Sequence, residues 1–495
     1  MLKSSRILLN RSSLSSSSLY LNRRLSTLLT TKPIEKLTIE DLSHPSINQQ
    51  DEIGRLKLIE SIQNTSTLST QNRNELLEFL IPNFSIYFKL PQHTIKQEVL
   101  HRLIQLNPGR VHSTFDLYNN HRNEIQDYMI QDVLKRLIHG EKNATIARED
   151  GDDESESIDL NNIIQIVNDY QHLQFDQLLI ELFYKLIDNN SNELIVELIN
   201  SGVLNGEMIL KEMVGQVNIK TSSITTKFAF ITIFNRLFNN NPQSMDHQVY
   251  TIALNLLNFD DSHKELAVPL TSNEILQYVT ESKLDEIPEA INLRQTLLEI
   301  YGIKQQDNDK ALKKYFYYET HVKSNIEQIR FIMVKIFSYL AIKQNKEIWN
   351  QVAQLMVNPE LTVKTLQLLI IGKSFFNIDS GLSMYNDYIQ NVSSQINPET
   401  KKSSKGLLTE SIILGFLINN DREFASLIFD KAIENQIIKD ELEISQIKKI
   451  FKTYSDCFID NEIWENHAQL KMIDVALKYI ENIDSIKYLN QEIYL

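Results

Sequence analysis

The stretch "DREFASLIFDKAIENQ", Asp421 to Gln436, places Phe424, Ala425, Ile428, Phe429 and Ala432 at steps of one, three and four residues. That spacing is the apolar face of an amphipathic helix. Reading outward, the segment becomes "LLTESIILGFLINNDREFASLIFDKAIENQIIKDE", the 35 residues from Leu407 to Glu441. A first helix carries Ile412, Ile413, Phe416 and Leu417, a four-residue turn follows, and Asn420 with Glu423 is the expected cap of the second helix. The small Ala425 lets the two backbones approach closely. A pair of helices this short cannot bury its faces alone, so neighbouring pairs must cover it.

The rest of the chain reads the same way. "EIGRLKLIESIQ", "TIKQEVLHRLIQL", "IQDYMIQDVLKRLIHG", "FDQLLIELFYKLIDNN" and "IEQIRFIMVKIFSYLAIKQ" all repeat apolar residues at helical spacing, and no series of alternating strands is visible. Only 12 Gly and 10 Pro occur in 495 residues, which argues against turn-rich sheets and Gly-rich phosphate loops. The expected fold is all-α, an α-solenoid-like array of antiparallel helix pairs. Two breaks divide it: an acidic loop at 148–160 ("REDGDDESESIDL"), and a linker at 259–274 where Pro269 interrupts helix. Helical regions are therefore expected at 50–147, 161–258 and 275–485.

Residues 1–34 have a different composition. Lys3, Arg6, Arg11, Arg23, Arg24 and Lys32 occur before the first acid, Glu35, and serines crowd "RSSLSSSSLYLNRRLS". This is the composition of a mitochondrial transit peptide, with "RRLS" placing Arg two residues before a cut after Leu25; the alternative is a Ser-rich tail. Cleavage there removes five basic residues and moves the formal charge from −14 to −19. No run approaches the length of a membrane-spanning apolar helix. With Cys457 as the single cysteine, disulfide frameworks and Cys-based clusters are excluded. The expected location is the mitochondrial matrix, in solution or peripheral to the inner membrane.

The 407–441 unit resembles a pentatricopeptide repeat, on Gly415 and Phe416 late in its first helix and Ala425, Ile428 and Phe429 in its second. A weaker match lies at "TLQLLIIGKSFFNIDSGLSMYNDYI", with Gly372 closing the first helix and Gly381, Met384 and Tyr385 in the second. "SSQINPETKKSSK" is then an insertion between the two. Degenerate repeats of this kind behind a mitochondrial leader are similar to fungal factors for single mitochondrial transcripts. The resemblance implies a factor that activates translation of, stabilises or helps splice one mRNA, such as that of a respiratory-chain or ATP synthase subunit. It also implies single-stranded mitochondrial mRNA as partner, with the mitoribosome or the inner-membrane translation machinery beside it.

In that resemblance the base-reading positions are Ser411, fifth in the first helix, and Asp440 at the end of the unit. The equivalent of Ser411 in the weaker repeat is Leu368, which cannot hydrogen-bond a base edge. Phosphate contacts need basic residues. "KALKKYFYYETHVK" combines Lys313 and Lys314 with Tyr315, Phe316, Tyr317 and Tyr318 on which bases could stack, and "KKSSK" at 401–405 is a second basic cluster. For each of these a structural role competes: a surface serine, a helix cap, core aromatics. The net acidity favours the other class, a helical protein–protein scaffold or assembly factor without RNA contact. No enzyme motif survives inspection. "GKS" at 372–374 lacks the preceding Gly of a phosphate loop, and His93, His101 and His112 lack ligand spacing. No cofactor is implied.

Overall fold

The computed structural model describes residues 111–139, 158–217, 221–260, 271–344, 346–355, 361–397, 401–456 and 465–483, with 34–43 and scattered positions between 58 and 105. The leader, most of the acidic loop, residues 261–270 of the linker and Cys457 lie outside the described residues. The chain forms two compact units, 1–205 and 206–495. The division thus falls at Asn205–Gly206, inside what the sequence suggested as one middle region. Helices on both sides of 259–274 belong to one unit.

In the first unit, after a single helical turn at Ile39–Leu42, the longer described helices are α1 (Val111–Asn120), α2 (Asp127–His139), α3 (Leu160–Asp169), α4 (Asp176–Asp188) and α5 (Asn192–Ser201). Each packs on its successor or on the helix after it: α2 on α4, α3 on α5. Asp159, near the end of the acidic stretch, caps α3 by accepting from the Asn162 amide at 3.3 Å. Gly202 closes α5 at φ 80, a left-handed position that favours glycine.

The second unit shows the repeat plan clearly. Its helices are α6 (Gly206–Val214), α7 (Ile224–Asn240), α8 (His247–Phe259), α9 (Ser272–Glu281), α10 (Ile291–Glu299), α11 (Asn308–Tyr317), α12 (Ile326–Lys343), α13 (Trp349–Leu355), α14 (Val363–Phe376), α15 (Ile378–Ile389), α16 (Ser404–Ile418), α17 (Arg422–Glu434), α18 (Glu441–Asp456) and α19 (Glu465–Asn482). The even-numbered helices from α6 to α16 form one row, each packed on the next. The odd-numbered helices from α7 to α17 pack onto that row from outside. Two rows in strict alternation are the plan of an α-solenoid. The sheet content among the described residues is one two-residue pair, Ile396–Asn397 with Lys402–Ser403, inside the insertion.

Helices α14 and α16 are apolar all round because they have neighbours all round. In α16, Leu408, Ile412, Ile413, Leu414, Phe416, Leu417 and Ile418 are buried, and these cover every face of the helix. Close approach depends on small residues. Ser374 of α14, itself fully buried, sits between Gly381 of α15 and Gly415 of α16. A methyl group on Gly415 would lie 2.5 Å from the Ser374 Cβ, well inside normal contact. Gly372 does not end its helix as the repeat pattern suggests: α14 continues to Phe376, and the Trp349 ring occupies the space above Gly372. Ala425 is fully buried between α16 and α17. The cap of α17 is Asp421, whose Oδ1 accepts from the Phe424 amide at 3.0 Å; the expected cap, Asn420, instead takes the left-handed turn position at φ 59.

One element departs from an open solenoid. The last helix, α19, lies against α12, α16 and α18. Its Tyr479 hydroxyl accepts from the Gln367 amide of α14 at 2.5 Å and reaches the Glu410 carboxylate of α16 at 3.5 Å. Lys402 completes this buried chain by pairing with Glu410 at 2.8 Å. The terminal helix is thereby tied across the row by hydrogen bonds that would otherwise leave buried polar groups unsatisfied.

Candidate nucleic-acid interface

The residues proposed to touch RNA fall into two groups, and burial separates them. Ser411 is fully buried, and its hydroxyl donates to the Leu407 carbonyl at 2.9 Å. This corrects the sequence expectation of a base-reading surface position. The cause is the packing of α16, which is enclosed by α14, α15, α17, α18 and α19. Leu368 is likewise fully buried in α14. Asp440 is half-buried and caps α18, accepting from the amides of Leu442 at 2.9 Å and Glu443 at 3.3 Å. Its carboxylate is committed to the helix end. In the 401–405 cluster, Lys402 is buried against Glu410, which leaves a narrower basic surface than the sequence suggests.

The aromatic and basic helix α11 is also partly structural. Asp285, fully buried, accepts from the Tyr318 hydroxyl at 2.6 Å and pairs with Lys314 at 2.7 Å. Burial, then the Asp285 carboxylate, holds the Tyr318 phenol well above its ordinary pKa. Arg294, also fully buried, donates to the carbonyls of Asp285, Ile287 and Pro288 and to the Ser324 hydroxyl. Lys314 is therefore a structural cation, and Tyr315 and Tyr318 are core residues. Tyr317 is half-buried, donates to Glu286 at 2.7 Å and stacks on His321 at 4.5 Å between ring centres.

What α11 shows to solvent is Asp309, Lys310, Lys313 and Phe316, the last 49% exposed. Phe316 is large, apolar and outward, one helical turn from Lys313, and it is a better stacking platform than the tyrosines beside it. Of the residues singled out from sequence, Lys313 remains at the surface and Tyr317 lies at its edge. Helical turns of π type bound α11 on both sides: Gln305 donates back to Ile300 and Lys323 to Tyr318, each five residues earlier. Such turns often occur at functional sites.

Beside the start of α11 runs an open groove of about 700 Å³. One wall is α9, which presents Asn273, Gln277 and Glu281 at four-residue steps. Gln305 and Lys310 stand opposite, with Leu276 and Tyr301 below. The Lys310 ammonium lies 4.2 Å from the Tyr301 ring centre, a cation–π contact. Sequence reasoning missed this groove. The polar stripe on α9 is visible as a period of four, but its other wall comes from residues about thirty positions away. Among the described residues no group of three or more His, Cys, Asp or Glu side chains could hold a metal ion, and no helix is long and apolar enough to cross a membrane.

The helix pairs and this surface define a helical-repeat array with a restricted basic and aromatic face. Residues 386–483, from α15 to the end of α19, match the family model for the MRX12 C-terminal domain. Over 168 residues the chain is 27% identical to MIOREX complex component 12 of Saccharomyces cerevisiae; the alignment spans 33% of this chain and about a third (32%) of the yeast protein. The crystal structure of the pentatricopeptide repeat protein PPR10 from maize aligns with 95% of this chain and 71% of its own, at 12% identity and a TM-score of 0.28. A score that low carries no argument about fold. The solenoid plan rests on the two alternating rows of helices in the chain itself.

Proposed function

We propose that this chain is a mitochondrial gene-expression factor that acts within a larger assembly and is needed for expression of one mitochondrially encoded mRNA. The observation that carries the reading is the match of residues 386–483 to the MRX12 C-terminal domain, supported by the identity to a MIOREX complex component. The acid-free leader supports a place in the matrix or at the matrix face of the inner membrane. The message would be one for a respiratory-chain or ATP synthase subunit, acted on at translation, stability or splicing. The mitoribosome or the membrane-bound translation machinery would be the protein partner. The role assigned is binding, with no catalytic step. RNA contact would fall on the outward side of α11, where Lys310, Lys313 and Phe316 are exposed, rather than on the row helices.

A second reading, a protein scaffold without RNA contact, is favoured by the enclosure of α16 and by the pairing of Lys314 and Lys402 with buried carboxylates. Crosslinking of RNA to the tagged protein in mitochondria, followed by sequencing, separates the two. Enrichment of one transcript supports the first reading. Recovery of no RNA above an untagged control supports the scaffold.

A further inference from the structure

We propose that the groove between α9, the π turn at Ile300–Lys304 and the start of α11 receives one unstacked base of single-stranded RNA, with preference for adenine and cytosine over uracil. The proposal rests on the RNA-associated reading above and names its site. Three observations carry it.

The first is the donor and acceptor pattern of the walls. Asn273, Gln277 and Glu281 are four residues apart and so stand side by side on α9. The Gln277 amide donates to Glu281 Oε1 at 2.8 Å, which orients the amide and presents its oxygen beside the carboxylate. Across the groove the Gln305 amide reaches the Asn273 oxygen at 3.4 Å, a stretched contact that a ligand edge can replace. The Glu281 carboxylate and the Asn273 and Gln277 oxygens suit the exocyclic amine that adenine and cytosine carry at the position where guanine and uracil present a carbonyl. Amide side chains also pair with the amine and ring nitrogen of adenine together.

The second observation is charge. The groove itself carries Lys310 and Glu281 and is close to neutral, which suits a base better than a phosphate. Lys310 stands at its α11 end, where a backbone phosphate would lie. The third is continuity. Lys313 and Phe316 follow Lys310 at three-residue steps on α11 and are exposed, offering a cation and a stacking face to the adjoining nucleotide. Leu276 and Tyr301 give the groove an apolar floor.

The test is binding of fluorescent single-stranded homopolymers of A, C, G and U to the purified full chain and its variants. The expected result is tighter binding of the A and C oligomers than of U. Gln277→Ala, at an exposed position, should weaken A and C binding by about tenfold with little effect on U, the size expected for a lost amide-to-base contact. Lys310→Ala should weaken all oligomers alike and flatten the salt dependence. Unchanged thermal melting of both variants shows that the fold is intact. Equal binding of the four oligomers, or A and C binding indifferent to Gln277→Ala, overturns the groove assignment and leaves RNA association to other surfaces. Failure of every oligomer to bind also overturns it. Recovery of RNA crosslinked in mitochondria then decides separately whether the wider reading stands.

Discussion

Gly415→Ala tests the packing on which the helix row depends. The added methyl would lie 2.5 Å from the Ser374 Cβ and 2.6 Å from its Oγ, against 4.0 Å from its Cα. Normal carbon–carbon separations lie near ~3.5–4.0 Å, so α14 or Ser374 must retreat by roughly 1 Å. Overpacking of this kind costs about 1–3 kcal/mol. The intrinsic helix preference of Ala over Gly returns up to about 1 kcal/mol, so the net loss should be about 1–2 kcal/mol. In a Ser374→Gly background the two clashing side-chain atoms are gone, and the same substitution should become neutral or stabilising. The expected coupling between the two sites is about 2 kcal/mol, in the range found for residues that touch directly. Thermal melting followed by circular dichroism on the four proteins reads this directly. A loss of about 1–2 kcal/mol should lower the transition of the second unit by a few degrees, at the lower end of roughly 2–4 °C per kcal/mol. Additive effects, or a Gly415→Ala chain as stable as the parent, would refute the close approach of α14 and α16.

Other perturbations follow from the buried polar groups. Asp285→Asn should destabilise the α11 region by about 3 kcal/mol, because Lys314 loses its buried counter-charge; denaturant unfolding measures it, and a value near zero would mean the pair is solvated. Ser411→Leu should lower stability by about 1–3 kcal/mol through overpacking and leave the RNA affinity of the folded fraction unchanged; a selective loss of RNA binding without loss of stability would return Ser411 to the base-reading role. Burial raises the pKa of Tyr318, Tyr385 and Tyr301 above the ordinary 10.0. For a group raised on folding, the stability contribution is complete below the unfolded pKa and is lost as pH rises above it. The fold should therefore weaken above pH 10, with these tyrosines ionising in one step with unfolding, followed by tyrosinate absorbance; gradual ionisation in the intact fold would contradict the burial.

Much of the architecture is legible in local pattern. "FDQLLIELFYKLIDNN" becomes α4 and "IEQIRFIMVKIFSYLAIKQ" becomes α12, each with boundaries close to those its apolar spacing suggests. Gly381, Gly415 and Ala425, the small residues behind the repeat resemblance, mark close helix approaches. The binding residues were less legible because they depend on distant partners. Ser411 is enclosed by neighbours that include α19, more than fifty residues later. A warning was nonetheless present, since α16 has apolar residues on every face and an amphipathic surface helix does not. Lys314 looked free in "KALKKYFYYETHVK" because its partner, Asp285, precedes it by twenty-nine residues in a short turn. Phe316 and Lys313 stand out once the inward residues Ala311, Tyr315 and Tyr318 are known. The groove on α9 needs both of its walls before it is visible.

The central claim is that the chain serves one message. Pulse-labelling of mitochondrial translation products in cells lacking the chain tests it most directly. The account predicts that synthesis of one mitochondrially encoded subunit falls sharply while the others continue. A uniform decline of all products, or no change in any, would contradict it.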